Sequence, residues 1–327
     1  MKKLLFFLCL TMTLANTVQA KECEIDKKIR FAGMNWLSNQ ITVEIERFIL
    51  EKGYGCKTTV ETGDTLPMLA AISRGDVDIM SEVWINSVSE AWNKAVKEGQ
   101  VKSLGDVYTG GIEGWFIPKY LAKKYPDLKS VSDLPKYKHL FKDREAPGKG
   151  RFYSCPIGWA CEVINQNLIK AFQLEDQYNV FSPGTGAALK AAITSHYKRR
   201  KPILFYYWAP TAVLGKFDMV KLTMPPYDKT GHICNTNPEC TKPYPGNYPI
   251  AAIKTGIHTD FAKAAPQLVD FISKVKIPTQ EVNKLLAWAD EEGAESTEVA
   301  HYFLKNYESL WTQWVPGDVA KQVKAAL

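Results

Sequence analysis

The sequence predicts an α/β protein of two lobes. Three observations carry that expectation. The chain has 327 residues, enough for two compact units at about 100–200 residues each. Over its first hundred or so residues, strand-like and helical segments alternate, the pattern of a mostly parallel sheet covered by helices. The texture then changes at Gly110-Gly111, where a second β/α series begins.

Residues 29–33 read as a short apolar strand, and residues 42–51 place Val43, Ile45, Phe48 and Ile49 at helical spacing before Gly53. Residues 57–61 resume as a strand, residues 66–73 form a helix stopped by Gly75, and residues 77–84 form a third strand. In such sheets ligands sit beyond the carboxyl ends of the strands. After the break a strand runs through Trp115 to Ile117, and a helix begins at residues 120–124. Residues 162–172 and 186–198 are helices, the second opening at Gly184-Thr185-Gly186 with Ser182 or Thr185 as its cap. Residues 203–208 are apolar enough to lie in the middle of their sheet. Six prolines make residues 225–249 a loop. A strand at residues 250–253 and helices over 261–275, 279–290 and 295–314 complete the chain. The expected lobes are residues 21–110 plus 247–327 and residues 111–246, with the crossings near 110 and 247 as hinge.

Lys2-Lys3 precede an apolar run from Leu4 to Leu14 and a Val18-Gln19-Ala20 ending, the form of a secretory signal peptide comprising residues 1–20. The run is shorter than the ~20 apolar residues that span a bilayer, so a soluble periplasmic protein is expected. Cys23 follows Ala20-Lys21-Glu22 rather than small apolar residues, which argues against a lipid anchor. Removing the leader takes Cys9 and leaves six of the seven cysteines, an even number for an oxidising compartment. Five residues separate Cys155 from Cys161, and five separate Cys234 from Cys240. These are the natural short loops, and Cys23–Cys56 remains. A zinc site on His232, Cys234 and Cys240 is the competing reading.

The net charge of +6 is mixed along the chain, and the longest basic run, Lys198 to Lys201, suits a helix end, so no nucleic-acid partner is expected. G-x-S-x-G, P-loop and H-E-x-x-H motifs are absent and the five His are scattered, so neither catalysis, a cofactor nor a metal is indicated. What recurs is tryptophan just after strands: Trp36, Trp84, Trp159 inside the Cys155–Cys161 loop, and Trp208. Trp92, Trp288, Trp311 and Trp314 fall at helical spacing and read as packing residues. Rings gathered at sheet ends suit a cation that cannot donate hydrogen bonds, such as a quaternary ammonium, because ring faces carry negative potential. At about 0.5–2 kcal/mol per ring, three rings supply several of the ~8 kcal/mol of a micromolar complex.

Cys155-Pro156-Ile157-Gly158-Trp159-Ala160-Cys161-Glu162, Phe205-Tyr206-Tyr207-Trp208-Ala209-Pro210 and Glu82-Val83-Trp84 resemble motifs of the periplasmic substrate-binding proteins of glycine betaine, proline betaine and choline ABC transporters. The resemblance covers nearly all of the mature chain. It implies a type II periplasmic-binding-protein-like fold, a ligand cleft between two α/β lobes, and delivery of ligand to a membrane permease by a monomer for uptake and osmoprotection. It also implies that Trp84 faces Trp159 and Trp208 across the cleft, and that the backbone N–H groups of Ala160 and Cys161 hold a ligand carboxylate.

The sequence departs from the family pattern at Val88, where enteric members carry a His that donates to the carboxylate. Glu113 and Trp115 resemble an acid-x-aromatic pair that some relatives aim at the cation, and Trp36 supplies a fourth wall as in choline-type relatives. An acid there favours a cation over a carboxylate. The rival readings are a binder of choline or sulfonium compounds used for nutrient uptake or sensing, and an exported enzyme with Glu113 or Glu162 as base.

Overall fold

A computed structural model describes residues 22–327. The signal-peptide reading, Cys9 included, lies outside the described residues. The nine strands are β1 (Ile29–Met34), β2 (Thr58–Gly63), β3 (Ile79–Trp84), β4 (Val101–Pro118), β5 (Gly150–Tyr153), β6 (Tyr178–Phe181), β7 (Leu204–Ala209), β8 (Met219–Lys221) and β9 (Ala251–His258). They follow the order β2-β1-β3-β9-β4-β7-β5-β6, with β8 on β4.

Within that order lie two half-sheets. In the first, β1 pairs in parallel with β2 and β3, and β9 runs antiparallel between β3 and β4. In the second, β5 lies parallel between β6 and β7, and β7 and β8 are antiparallel to β4. Helices pack on each, giving two α/β lobes. β4 belongs to both: its last pairing with β9 is Gly111 with Ala251, and its first with β7 is Ile112 with Ala209. The strand begins at Val101, well before the break at Gly110-Gly111, although Lys102, Ser103, Gly105 and Asp106 interrupt the apolar alternation that marks a strand in sequence.

Other differences have local causes. The helix expected over 261–275 is two, Thr259–Ala264 and Pro266–Lys274, because Ala265 precedes proline and takes an extended turn at φ −135° and ψ 59°. Inside the proline-rich loop a helix, Lys229–Asn235, is started by the Asp228 side chain, which accepts from the Gly231 amide at 2.6 Å. Thr185 caps Gly186–Lys198 by accepting from the Ala188 amide. Among the helical tryptophans, Trp92, Trp311 and Trp314 are buried and Trp288 stacks on Tyr302 at 4.1 Å.

The helix Leu37–Phe48 carries Glu46 into the first-lobe core, where Ser81 Oγ donates to its Oε2 at 2.5 Å and Oε1 has no partner. Burial pushes this carboxyl up to about 8, against the opposing pull of the Ser81 hydrogen bond. Its folded-state value lies above the unfolded one of about 4.5, so its stabilising contribution is full below that pH and is lost as pH rises through about 8. Glu46→Gln cannot ionise. Between pH 6 and 9 the wild type should therefore lose about 2 kcal/mol relative to Glu46→Gln, read by urea unfolding at each pH. Parallel profiles for the two proteins would contradict the assignment.

Candidate functional site

Four tryptophans leave the carboxyl ends of strands or the loops after them: Trp36 after β1, Trp84 at the end of β3, Trp159 in the loop after β5, and Trp208 in β7. Three of them meet ring to ring. Trp159 lies edge-on to Trp36 at 5.0 Å between centroids and edge-on to Trp208 at 5.2 Å. With Trp84 they line a small cavity of about 40 Å³, together with Thr65, Ser87, Glu113, Ala160, Cys161 and Tyr206. No lysine, arginine or histidine is among these lining residues. A wider cleft of about 420 Å³ opens behind Trp36 and Trp208, between Asn35, Lys190, Tyr207 and Asp290.

Strand pleating selects the cavity side chains of the second lobe. Glu113 pairs with Trp208, and Tyr206 stands two residues before Trp208 on the same face of β7. Glu113 is buried, and its Oε1 and Oε2 accept hydrogen bonds from Tyr206 Oη at 2.6 Å and Ser87 Oγ at 3.3 Å. Burial raises its pKa above the ordinary glutamate value, the two hydrogen bonds and the Lys221 charge opposing.

Trp115 is not part of the cavity. It shares the face of Glu113 and stands directly opposite Tyr206, which does line the cavity, but its own ring packs into the core of the lobe. There it is fully buried against Phe152, and its Nε1 donates to Asn165 Oδ1 at 2.8 Å. An acid-x-aromatic spacing specifies the face but not the neighbours against which the ring packs. Val88, at the position of the missing His, is also buried outside the cavity, and its neighbour Ser87 lines it instead.

Ala160 and Cys161 open the helix Ala160–Ala171, whose N-cap Trp159 provides no side-chain acceptor. The first amides of a helix lack intrahelical partners and suit an anion. The cysteines pair as Cys23–Cys56, Cys155–Cys161 and Cys234–Cys240. The zinc reading is thereby overturned: two of its three ligands are bonded to each other, and His232 Nε2 donates to the Asn86 carbonyl at 3.1 Å.

Several residues that position this site were not singled out from the sequence. Trp159 Nε1 donates to Asn35 Oδ1 at 2.6 Å and Asp64 Oδ1 at 3.1 Å, and Asn35 Nδ2 donates to the same Asp64 oxygen. The Leu66 amide donates to the Gly158 carbonyl at 3.2 Å, so the disulfide loop is tied to the first lobe by backbone as well. Gly158 is required there: its φ is +94°, and a Cβ would stand 2.8 Å from Asp64 Oδ2. Behind Trp36 and Trp84 lies Glu82, which accepts from both indole N–H groups. The alternation of β7 held the one legible signal, for Tyr206; the others come from contacts between distant parts of the chain.

Rings on several sides, one acid and no base make a receptor for a small organic cation. Among the described residues no helix is long and apolar enough to cross a membrane, and no cluster of His, Cys, Asp and Glu could hold a metal. The chain is similar to the glycine betaine/proline betaine-binding periplasmic protein of Salmonella typhimurium, 23% identical over 291 residues and 86% of each chain. In structure it resembles the glycine betaine, L-proline ABC transporter binding protein of Borrelia burgdorferi, with a TM-score of 0.74 and 17% identity over 91% of this chain and 100% of that one. A choline-binding protein of an ABC transporter in complex with choline superposes equally well, at a TM-score of 0.74 and 16% identity over 91% and 97%. The profile of the substrate-binding domain of ABC-type glycine betaine transport systems matches residues 27–306, and the chain belongs to that family.

Proposed function

We propose that this protein is a periplasmic solute-binding protein that captures a quaternary ammonium compound among Trp36, Trp84, Trp159 and Trp208 and hands it to the permease of an ABC transporter. The observation that carries the reading is the cavity itself: four indoles and the buried acid Glu113, with no basic side chain. The family, and the ligands for which its relatives are named, support the same ligand class. The protein makes and breaks no bond.

In this mechanism residues 21–110 plus 247–327 form one lobe, residues 111–246 the other, and the crossings near 110 and 247 bend. Ligand enters while the lobes are apart. Closure brings Trp159 onto Trp36 and into hydrogen bonding with Asn35 and Asp64, and Lys190 and Lys216 onto Asp290. Water leaves, and the attraction between cation and rings strengthens as the surroundings become less polar. For a zwitterion such as glycine betaine, the amides of Ala160 and Cys161 take the carboxylate.

Glu113 favours choline as a second reading, because a buried carboxyl on the cavity wall attracts a bare cation and disfavours a nearby carboxylate. Calorimetric titration of the stripped mature protein with glycine betaine, proline betaine, carnitine, choline and a sulfonium analogue tests both. At least one should bind at micromolar concentration or below. Binding of none, with the three disulfides intact, would overturn the proposal.

A further inference from the structure

Glu82 sits where β3 is irregular. The pairing of β3 with β9 shifts register between Met80 and Val83, and Glu82 has φ +60°, a conformation rare outside glycine. The side chain is buried, at 1% exposure. Its Oε1 accepts from three donors, Trp36 Nε1 at 2.7 Å, Ser38 Oγ at 2.8 Å and Trp84 Nε1 at 3.2 Å, and Oε2 has no partner. Among the described residues no cation forms an ion pair with it. A buried carboxylate without a counter-ion is costly, and proteins retain one where a charge is needed.

We propose that Glu82 is the positioning residue of the aromatic cavity and the counter-charge of its ligand: one oxygen fixes the planes of Trp36 and Trp84, and the negative charge behind those rings favours a cation in front of them. The inference rests on the reading that the cavity holds a quaternary ammonium compound. Two donors on two different walls converge on one atom, so moving that atom moves both walls. An indole N–H that donates to a carboxylate makes a strong charge-assisted bond and sends electron density toward the ring face.

The ligand's charge should therefore be linked to the ionisation of Glu82. Burial pushes this carboxyl up to about 7, opposed by the hydrogen bonds from Ser38, Trp36 and Trp84. The titratable groups around it are Glu46 on the helix Leu37–Phe48, pushed up to about 8, Tyr108 on β4, whose hydroxyl lies well above its ordinary range, and Glu113 on the cavity wall. A cation favours ionised Glu82, so binding lowers its pKa and affinity rises as pH rises through neutrality.

The test titrates choline, glycine betaine and the uncharged choline isostere 3,3-dimethyl-1-butanol into wild type and two variants, Glu82→Gln and Glu46→Gln, at pH 6 and 8. Glutamine keeps an acceptor oxygen for the two indoles and removes the charge. Choline should bind wild type about tenfold tighter at pH 8 than at pH 6, a dependence that Glu82→Gln loses and Glu46→Gln keeps. The isostere should show no dependence on pH. In wild type labelled with 13C at glutamate carboxyls, the Glu82 signal should titrate near neutrality and its midpoint should fall when choline is added, a result independent of whether the variant folds. Choline affinity that is flat with pH, together with a Glu82 midpoint that choline does not move, overturns the inference alone. Failure of wild type to bind choline or glycine betaine at either pH overturns the parent reading instead.

Discussion

Trp159→Ala is expected to weaken binding of a quaternary ammonium ligand at least about a hundredfold, roughly 3 kcal/mol. The effect exceeds that of an ordinary cavity wall because the ring has two tasks. It touches Trp36 and Trp208 at 5.0 and 5.2 Å, and its N–H reaches Asn35 and Asp64 of the facing lobe. Alanine removes the cation's ring face and one of the ties between the lobes in one change. Trp159→Phe separates the tasks: it keeps a ring and loses the N–H, and a loss of about tenfold is expected, carried mainly by weaker closure. Calorimetry gives the affinities, and small-angle scattering with and without ligand gives the closure. A loss below about 1 kcal/mol for Trp159→Ala would place the ligand elsewhere.

Glu113→Gln should divide ligands by charge. For choline, removal of the acid is expected to cost about thirtyfold, near 2 kcal/mol for a charge pair of that separation at intermediate dielectric. Glycine betaine should change by less than about threefold, because its carboxylate is repelled by the group that attracts its ammonium. Burial holds Glu113 above its ordinary value, the Tyr206 and Ser87 hydrogen bonds opposing. Glutamine still accepts from Tyr206 Oη, so the fold around the cavity is kept. Equal losses for the two ligands would show that Glu113 is a structural residue and not a selector.

The fold class and the four cavity tryptophans were legible because both are written in local pattern. Strand and helix alternate with distinct periods, and Trp36, Trp84 and Trp208 end or follow apolar strands where α/β sheets bind ligands. The positioning residues were not legible. Asn35 and Trp159 are 124 residues apart, and nothing in either neighbourhood announces the other. Glu82 was visible only as part of a motif, since its inward turn depends on a bulge whose register is set by β9, far along the chain. Trp115 lies outside the cavity for a related reason: spacing along a strand is local, but the neighbours against which a ring packs are not.

Because β4 runs unbroken from one half-sheet into the other, no cut between the lobes avoids severing a strand. The lobes are consequently not interchangeable cassettes. A fragment of residues 111–246 would keep the second half of that ribbon and expose an edge where the first half continued, and the complementary fragment would end on the same broken ribbon.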